Sequence, residues 1–143
     1  MKISTIILLI TFSFFSCKKN EDKNSTCTPD VASISGSYKI TAYTYKASAT
    51  SPEVDYYNTL FPDACDRDNV LRFDANGTYK LIDAGMVCSP PGDDNGTWTV
   101  SGNTMTVDGG TTAIQSFDCK TLILSKNDIQ TSGDELKIML TKQ

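Results

Sequence analysis

Between Gly36 and Thr141 apolar and polar residues alternate in short runs, and glycine, asparagine or aspartate cuts most of them off. Successive side chains of an extended strand point to opposite faces, so a run of this kind buries one face and wets the other. Eight runs have this character: GSYKITAYTY (36–45), NVLRFD (69–74), GTYKLIDA (77–84), GTWTVS (96–101), TMTVD (104–108), TTAIQSF (111–117), TLILS (121–125) and ELKIMLT (135–141). They are rich in β-branched and aromatic residues and evenly spaced, which predicts an all-β sandwich or barrel. VDYYNTLF (54–61) is the exception, with Tyr57, Leu60 and Phe61 spaced for one face of a helical turn or two.

The turns set how neighbours pair. Gly102-Asn103 is a two-residue hairpin signal that sets Val100 opposite Met105 and Trp98 opposite Val107, leaving Thr97, Thr99, Thr104 and Thr106 on the other face. Gly109-Gly110, read the same way, sets Met105 opposite Ile114. Period and turn chemistry agree on an antiparallel meander with one oily face. An earlier hairpin reverses at DANG (74–77), by a tight two-residue turn or by a type I turn with Gly77 left-handed.

Upstream the pattern changes. Lys2 precedes an almost wholly apolar stretch from Ile3 to Phe15, shorter than the roughly 20 residues of a spanning helix. A basic start, a short apolar core and small Ser16 directly before Cys17 read as an export signal over residues 1–16. The segment resembles a bacterial lipoprotein signal, whose cysteine becomes the first mature residue and carries a lipid anchor; Phe14 departs from the aliphatic residue usual at its position. KKNEDKNST (18–26) is polar and reads as a tether. Residues 17–33 are thus the lipidated Cys17 with its tether, and 34–143 one folded domain. The lysines followed by Glu21 and Asp22 resemble the short signal that sends Bacteroidetes-type lipoproteins to the outer face of the outer membrane, so display at the cell surface is expected, with the periplasmic face as the alternative.

With Cys17 set aside, Cys27, Cys65, Cys88 and Cys119 form an even set in an exported chain, where disulfides are the default. Four cysteines allow three pairings. Cys65 and Cys88 lie eleven or twelve residues either side of the Asn76-Gly77 step, so antiparallel pairing brings them nearly opposite. That symmetry predicts Cys65–Cys88 and leaves Cys27 for Cys119. No C-x-x-C pair occurs, which argues against zinc, and neither metal nor cofactor is expected.

Once Lys2 is removed, twelve basic side chains face seventeen acidic ones, a net charge of −5. That balance excludes nucleic acid, which needs a basic footprint. It supplies no polybasic patch for anionic lipid, so membrane contact is expected through the anchor alone. The chain has no histidine, the commonest general base and metal ligand. Carboxylates cluster at Asp63, Asp66 and Asp68 and at Asp93-Asp94. Paired carboxylates can hydrolyse glycosides, and Asp66, Asp68 and Asn69 offer hard oxygens to calcium. These loops are rich in Pro, Asn and Gly, however, where aspartate caps turns, and no calcium-loop pattern occurs. A non-enzymatic protein is expected.

The order ISGSYKI (34–40), CDRDNVLRFDANGTYKL (65–81), Cys88, GTWTVSGNTMTV (96–107) and TLILS (121–125) resembles the lipocalin-like domains of Bacteroidetes-type lipoproteins, over about residues 34–141. Gly36-Ser37-Tyr38 is similar to the Gly-x-Trp that opens the first lipocalin strand, with Tyr38 in place of tryptophan. The resemblance implies a small eight-stranded antiparallel up-and-down barrel and, by family habit, a small apolar ligand. It carries over no ligand-specific contact, and fold alone does not deliver function.

Two functions are open at this point. In the first, the barrel binds a small apolar molecule, and the inward-facing candidates are Tyr38, Ile40, Phe73, Tyr79, Leu81, Trp98, Val100, Met105 and Leu124. A barrel of eight strands is only just wide enough to be filled by its own side chains or to hold one small ligand, so the same residues also read as plain core. In the second, the barrel is filled and the domain is an interaction or structural part of a cell-surface assembly. It would then meet a protein partner through loops such as 46–64 or 89–95, with Tyr43, Tyr45, Tyr56 and Tyr57 as the available aromatic surface. An open apolar cavity favours the first function, an occluded mouth with exposed tyrosines the second.

Overall fold

A computed structural model of the protein describes residues 27–143; the segment read as an export signal, Cys17 and residues 18–26, read as a tether, lie outside the described residues. The first element among the described residues is one helical turn, α1 (Val31–Ile34), which begins within the stretch read as tether and ends at Ile34, the first residue of the expected domain. Asp30 starts it: its carboxylate accepts the Ser33 N–H at 2.7 Å while the Ser33 hydroxyl accepts the Asp30 N–H at 3.0 Å.

The strands follow as β1 (Gly36–Lys46), β2 (Val54–Asp55), β3 (Val70–Phe73), β4 (Thr78–Ile82), β5 (Asp94–Ser101), β6 (Thr104–Val107), β7 (Gly110–Phe117), β8 (Thr121–Asn127) and β9 (Glu135–Lys142). Two further helical turns, α2 (Tyr57–Leu60) and α3 (Ala64–Arg67), lie between β2 and β3. The run 54–61 is therefore split into a two-residue strand and one helical turn. Successive strands from β3 to β9 pair antiparallel, β1 pairs with both β3 and β9, and β2 is a short edge on β1. The result is a closed eight-stranded up-and-down barrel. Closure satisfies strand edges that would otherwise invite pairing with other chains.

The turns explain the registers. Val100 faces Met105 and Trp98 faces Val107 across Gly102-Asn103. At DANG the Asp74 N–H donates to the Thr78 carbonyl at 2.8 Å, and Gly77 takes φ +85°, the left-handed position that closes a type I turn. The next reversal corrects the sequence reading. Val107 pairs with Gly110, and Met105 with Thr112 instead of Ile114. The turning residues are Asp108 and Gly109, both at positive φ (46° and 80°), as a type I′ turn requires. The register moves by two residues, so no face changes, and Ile114 still points inward, 5% exposed.

Up-and-down order sends alternate turns to opposite ends. One end holds the turns 74–77, 102–103 and 118–120, and α1 packs there. Ile34 is fully buried, the Tyr38 hydroxyl donates to its carbonyl at 2.7 Å, and the Lys142 ammonium donates to the Ser33 carbonyl at 2.9 Å. The Cys27 N–H donates to the Phe117 carbonyl at 3.2 Å, and Cys27 is disulfide-bonded to Cys119. This is the closed end. The other holds the longer loops 47–69, 83–93 and 128–134 and the short turn at 108–109.

Candidate functional site

The candidate interior residues gather at and above the closed end. Tyr38, Phe73, Tyr79, Trp98, Met105 and Leu124 are buried, and with Ile34, Phe117, Leu122 and Leu140 they form one contiguous core. The Trp98 indole N–H donates to the Asp74 carbonyl at 2.9 Å, and the Phe73 ring packs against Trp98 at 5.1 Å between centroids. Ile40 and Val100 pack on this core half-buried. Ile40 and Leu81 also border a side cavity of about 70 Å³, where β1 and β3 pair only over Gly36–Tyr38 and the loop carrying α2 and α3 covers the gap. None of the nine lines the tyrosine-walled space at the opposite end.

That space is an open cavity of about 280 Å³, lined by Tyr43, Tyr45, Tyr56, Leu60, Ile129, Gln130 and Leu136. Two of its tyrosines reach it through an irregularity. Between Ile40 and Ala42, β1 carries one residue more than β9. Such a bulge re-aims every side chain beyond it. Ile40 faces Leu140, and past the bulge Tyr43 faces Ile138 and Tyr45 faces Leu136, so both tyrosines share the inward face. Strict alternation from Tyr38 and Ile40 would send them outward, to the surface that the second function proposed for them.

Loop 128–134 supplies the opposite rim, and one buried carboxylate shapes it. Asp134, 1% exposed, accepts the N–H groups of Ile129, Gln130 and Thr131 at 2.7, 2.9 and 2.9 Å and the Tyr45 hydroxyl at 2.8 Å. Burial alone would raise its pKa, but these donors outweigh it and hold the group at about 2, ionised at neutral pH. The same hydrogen bond pushes the Tyr45 phenol above its ordinary range. The Tyr45 and Tyr56 rings stand at 75° with centroids 6.3 Å apart, and Tyr43 meets Phe61 at the same angle and 6.5 Å. Such edge-to-face contacts are the preferred geometry of aromatic pairs.

The carboxylate clusters hold loops. Asp68 accepts the Met86 N–H at 2.8 Å, Asp93 the Asp83 N–H at 3.0 Å, and buried Asp83 the N–H groups of Cys88 and Gly92 at 3.1 and 2.8 Å. The Oδ1 atoms of Asp68 and Asn69 are buried without a partner. Cys65, Asp66 and Cys88 lie close enough to share an ion, but the two sulfurs are joined to each other and supply no thiolate. That bridge ties α3 to loop 83–93 at the mouth end.

The site is thus a short aromatic cup at one mouth of a barrel whose other mouth is plugged. Comparison with sequence families agrees with this architecture: residues 34–138 match the lipocalin-like domain. The chain belongs to the lipocalin-like domain family. Members of this family are generally binding proteins, and the lipocalin-like barrel points to binding of small molecules. Among curated proteins none matches the chain.

Proposed function

We propose that this lipocalin-like domain is a non-catalytic binding module for a small apolar molecule, held in the mouth cavity and displayed from the outer membrane by lipid on Cys17. The observation that carries the reading is the unequal filling of the barrel. The closed half is packed with side chains, while the mouth keeps about 280 Å³ walled by three tyrosines, Leu60, Ile129 and Leu136. Ligand sites are mostly apolar with a few polar groups to fix orientation, and here Gln130 and the phenol hydroxyls are those groups. The volume suits a molecule of one ring or a short branched chain. Three of the four tyrosines that would have made a partner surface, Tyr43, Tyr45 and Tyr56, are instead part of the cup, while Tyr57 borders the side cavity, which favours ligand over assembly.

The lipid anchor gives the cup a direction. Residues 18–26 can span at most about 30 Å, and they join the domain at Cys27, which is fixed to Cys119 at the closed end. The tether therefore leaves the domain from the end opposite the mouth, so lipid on Cys17 would not need to cover the cup. Two measurements test the reading. Titration with benzyl alcohol or a similar small aromatic, followed by NMR, should shift Leu60, Ile129 and Leu136 methyls with saturation, and Ile129→Trp, which fills the cup from its exposed side, should abolish the response. No saturable shift with any small neutral or charged aromatic would sink the ligand reading. Cys17→Ala should move the protein from the membrane to the soluble fraction; a variant as membrane-bound as the parent would sink the anchor.

A further inference from the structure

The electrostatics of the mouth say which small molecule the cup takes. The four mouth-end connections, 47–69, 83–93, 108–109 and 128–134, carry ten acidic side chains and one basic one, Arg67. The closed-end segments 27–35, 74–77, 102–103 and 118–120 carry Asp30, Asp74 and Asp118 against Lys120, so the bias belongs to the mouth. Lys46 and Lys126, at strand ends next to these loops, do not line the cup. Like charges around a concave opening focus a field into it, favouring cations and repelling anions.

The wall has matching chemistry. Tyr45 and Tyr56 meet nearly at right angles and both line the cup, presenting aromatic surface on two sides. Faces of aromatic rings carry partial negative charge, and several of them around one space attract an organic ammonium group. Tyr45 also donates a hydrogen bond from its hydroxyl to the buried Asp134 carboxylate at 2.8 Å, which feeds electron density into that ring and sets a full negative charge at its phenol end. A fatty acid would bring a carboxylate to this same place, with no lysine or arginine lining the cup to receive it.

Resting on the reading of the cup as a ligand site, we infer that the largely apolar molecule it holds carries one positive charge: a small organic cation, an ammonium group bearing apolar or aromatic substituents, caged by Tyr45, Tyr56 and Tyr43. The cation's charge lies against ring faces and its apolar part against Leu60, Ile129 and Leu136.

The test compares three probes of similar size on the folded domain: benzyltrimethylammonium, benzyl alcohol and phenylacetate, each titrated by NMR at the mouth methyls. The cation should bind about tenfold more tightly than the alcohol, and phenylacetate more weakly than either. Tyr56→Leu, at a half-exposed ring, should remove most of the cation's advantage while leaving the alcohol within about threefold. Tyr45→Phe, which keeps the ring and loses only the Asp134 contact, should retain most of it. Equal affinity for cation, alcohol and anion would overturn the cation assignment and leave the ligand site standing. An advantage that survives Tyr56→Leu but disappears in 0.5 M salt would overturn the cage, since loop charge alone would then explain it. Absence of binding by all three probes would overturn both the cage and the site beneath it.

Discussion

The two ends of the barrel are built from the same repeating strands and do opposite things. At the closed end the turns are tight, α1 caps the opening, and Trp98, Tyr38, Met105, Leu122 and Leu140 are at most 1% exposed. At the mouth the connections are longer, and every large apolar side chain exposed among the described residues belongs there: Val54, Tyr56, Leu60, Met86, Val87 and Ile129. Hydrophobic packing supplies stability where it is complete, while the mouth leaves apolar surface uncovered and shapes its loops with buried carboxylates, Asp83 and Asp134. The lesson is a division of labour. Stability resides at the closed end, and the mouth surface can vary at the other without unfolding the domain.

The disulfides are the largest lever on this contrast. Cys27–Cys119 spans 92 residues and Cys65–Cys88 spans 23. In the chain-entropy account the longer loop restrains the unfolded chain more, so Cys27→Ser with Cys119→Ser should cost about 4–5 kcal/mol and Cys65→Ser with Cys88→Ser about 3–4 kcal/mol. The second pair should weaken ligand binding out of proportion to its stability cost, because it loosens α3 and loop 83–93. Urea unfolding combined with probe titration checks both; a mouth bridge whose loss leaves affinity unchanged would break the division between the ends.

Trp98→Ala comes next. Opening a cavity under the Asp74 turn should cost about 3–5 kcal/mol, whereas Leu60→Ala, at a side chain 48% exposed, should cost under about 0.5 kcal/mol. Because Trp98 is buried but does not line the cup, its emission should be blue-shifted and should not respond to mouth ligands. A ligand-dependent shift in that emission would place binding in the core instead.

How far the sequence showed this is itself divided by end. The barrel strands were legible from alternation, and Gly102-Asn103 carried its register unaided. At 108–110 the choice between Asp-Gly and Gly-Gly was missed because both satisfy two-residue turn chemistry, including the two consecutive positive φ values that Asp108 and Gly109 adopt. The cup was missed for a deeper reason. Tyr43 and Tyr45 turn inward only because of the bulge at Thr41, and a single extra residue leaves little local signature. A signal did exist: strict alternation through ITAYTY would bury Ala42 and Thr44 while exposing two tyrosines, an apolar pattern on the wrong face. The rim contributions of Ile129, Gln130 and Asp134 come from a loop with no period to read.

The smallest effect predicted concerns Asp134, which joins rim to wall. Its pKa is held near 2, below the ordinary 3.8, because three loop N–H groups and the Tyr45 hydroxyl outweigh the penalty of burial. A carboxyl with a lowered folded pKa stabilises fully above its unfolded value and progressively less as pH falls through its folded value. Stability from this group should therefore be complete at neutral pH and lost between about pH 4 and pH 2. Other carboxyls also contribute to acid sensitivity, Asp108 and Asp118 among them, both lowered by hydrogen bonds. The useful quantity is thus the difference between the wild-type and Asp134→Asn stability curves. That difference should be level at neutral pH and shrink below pH 4. Protection against amide exchange at Ile129, Gln130 and Thr131, relative to the intrinsic rate at each pH, should fall over the same range, before protection at Trp98 or Leu122, because the loop loses its acceptor while the closed end keeps its packing. Simultaneous loss of protection at both ends would show that the mouth is no softer than the core, and the division between the ends would fail.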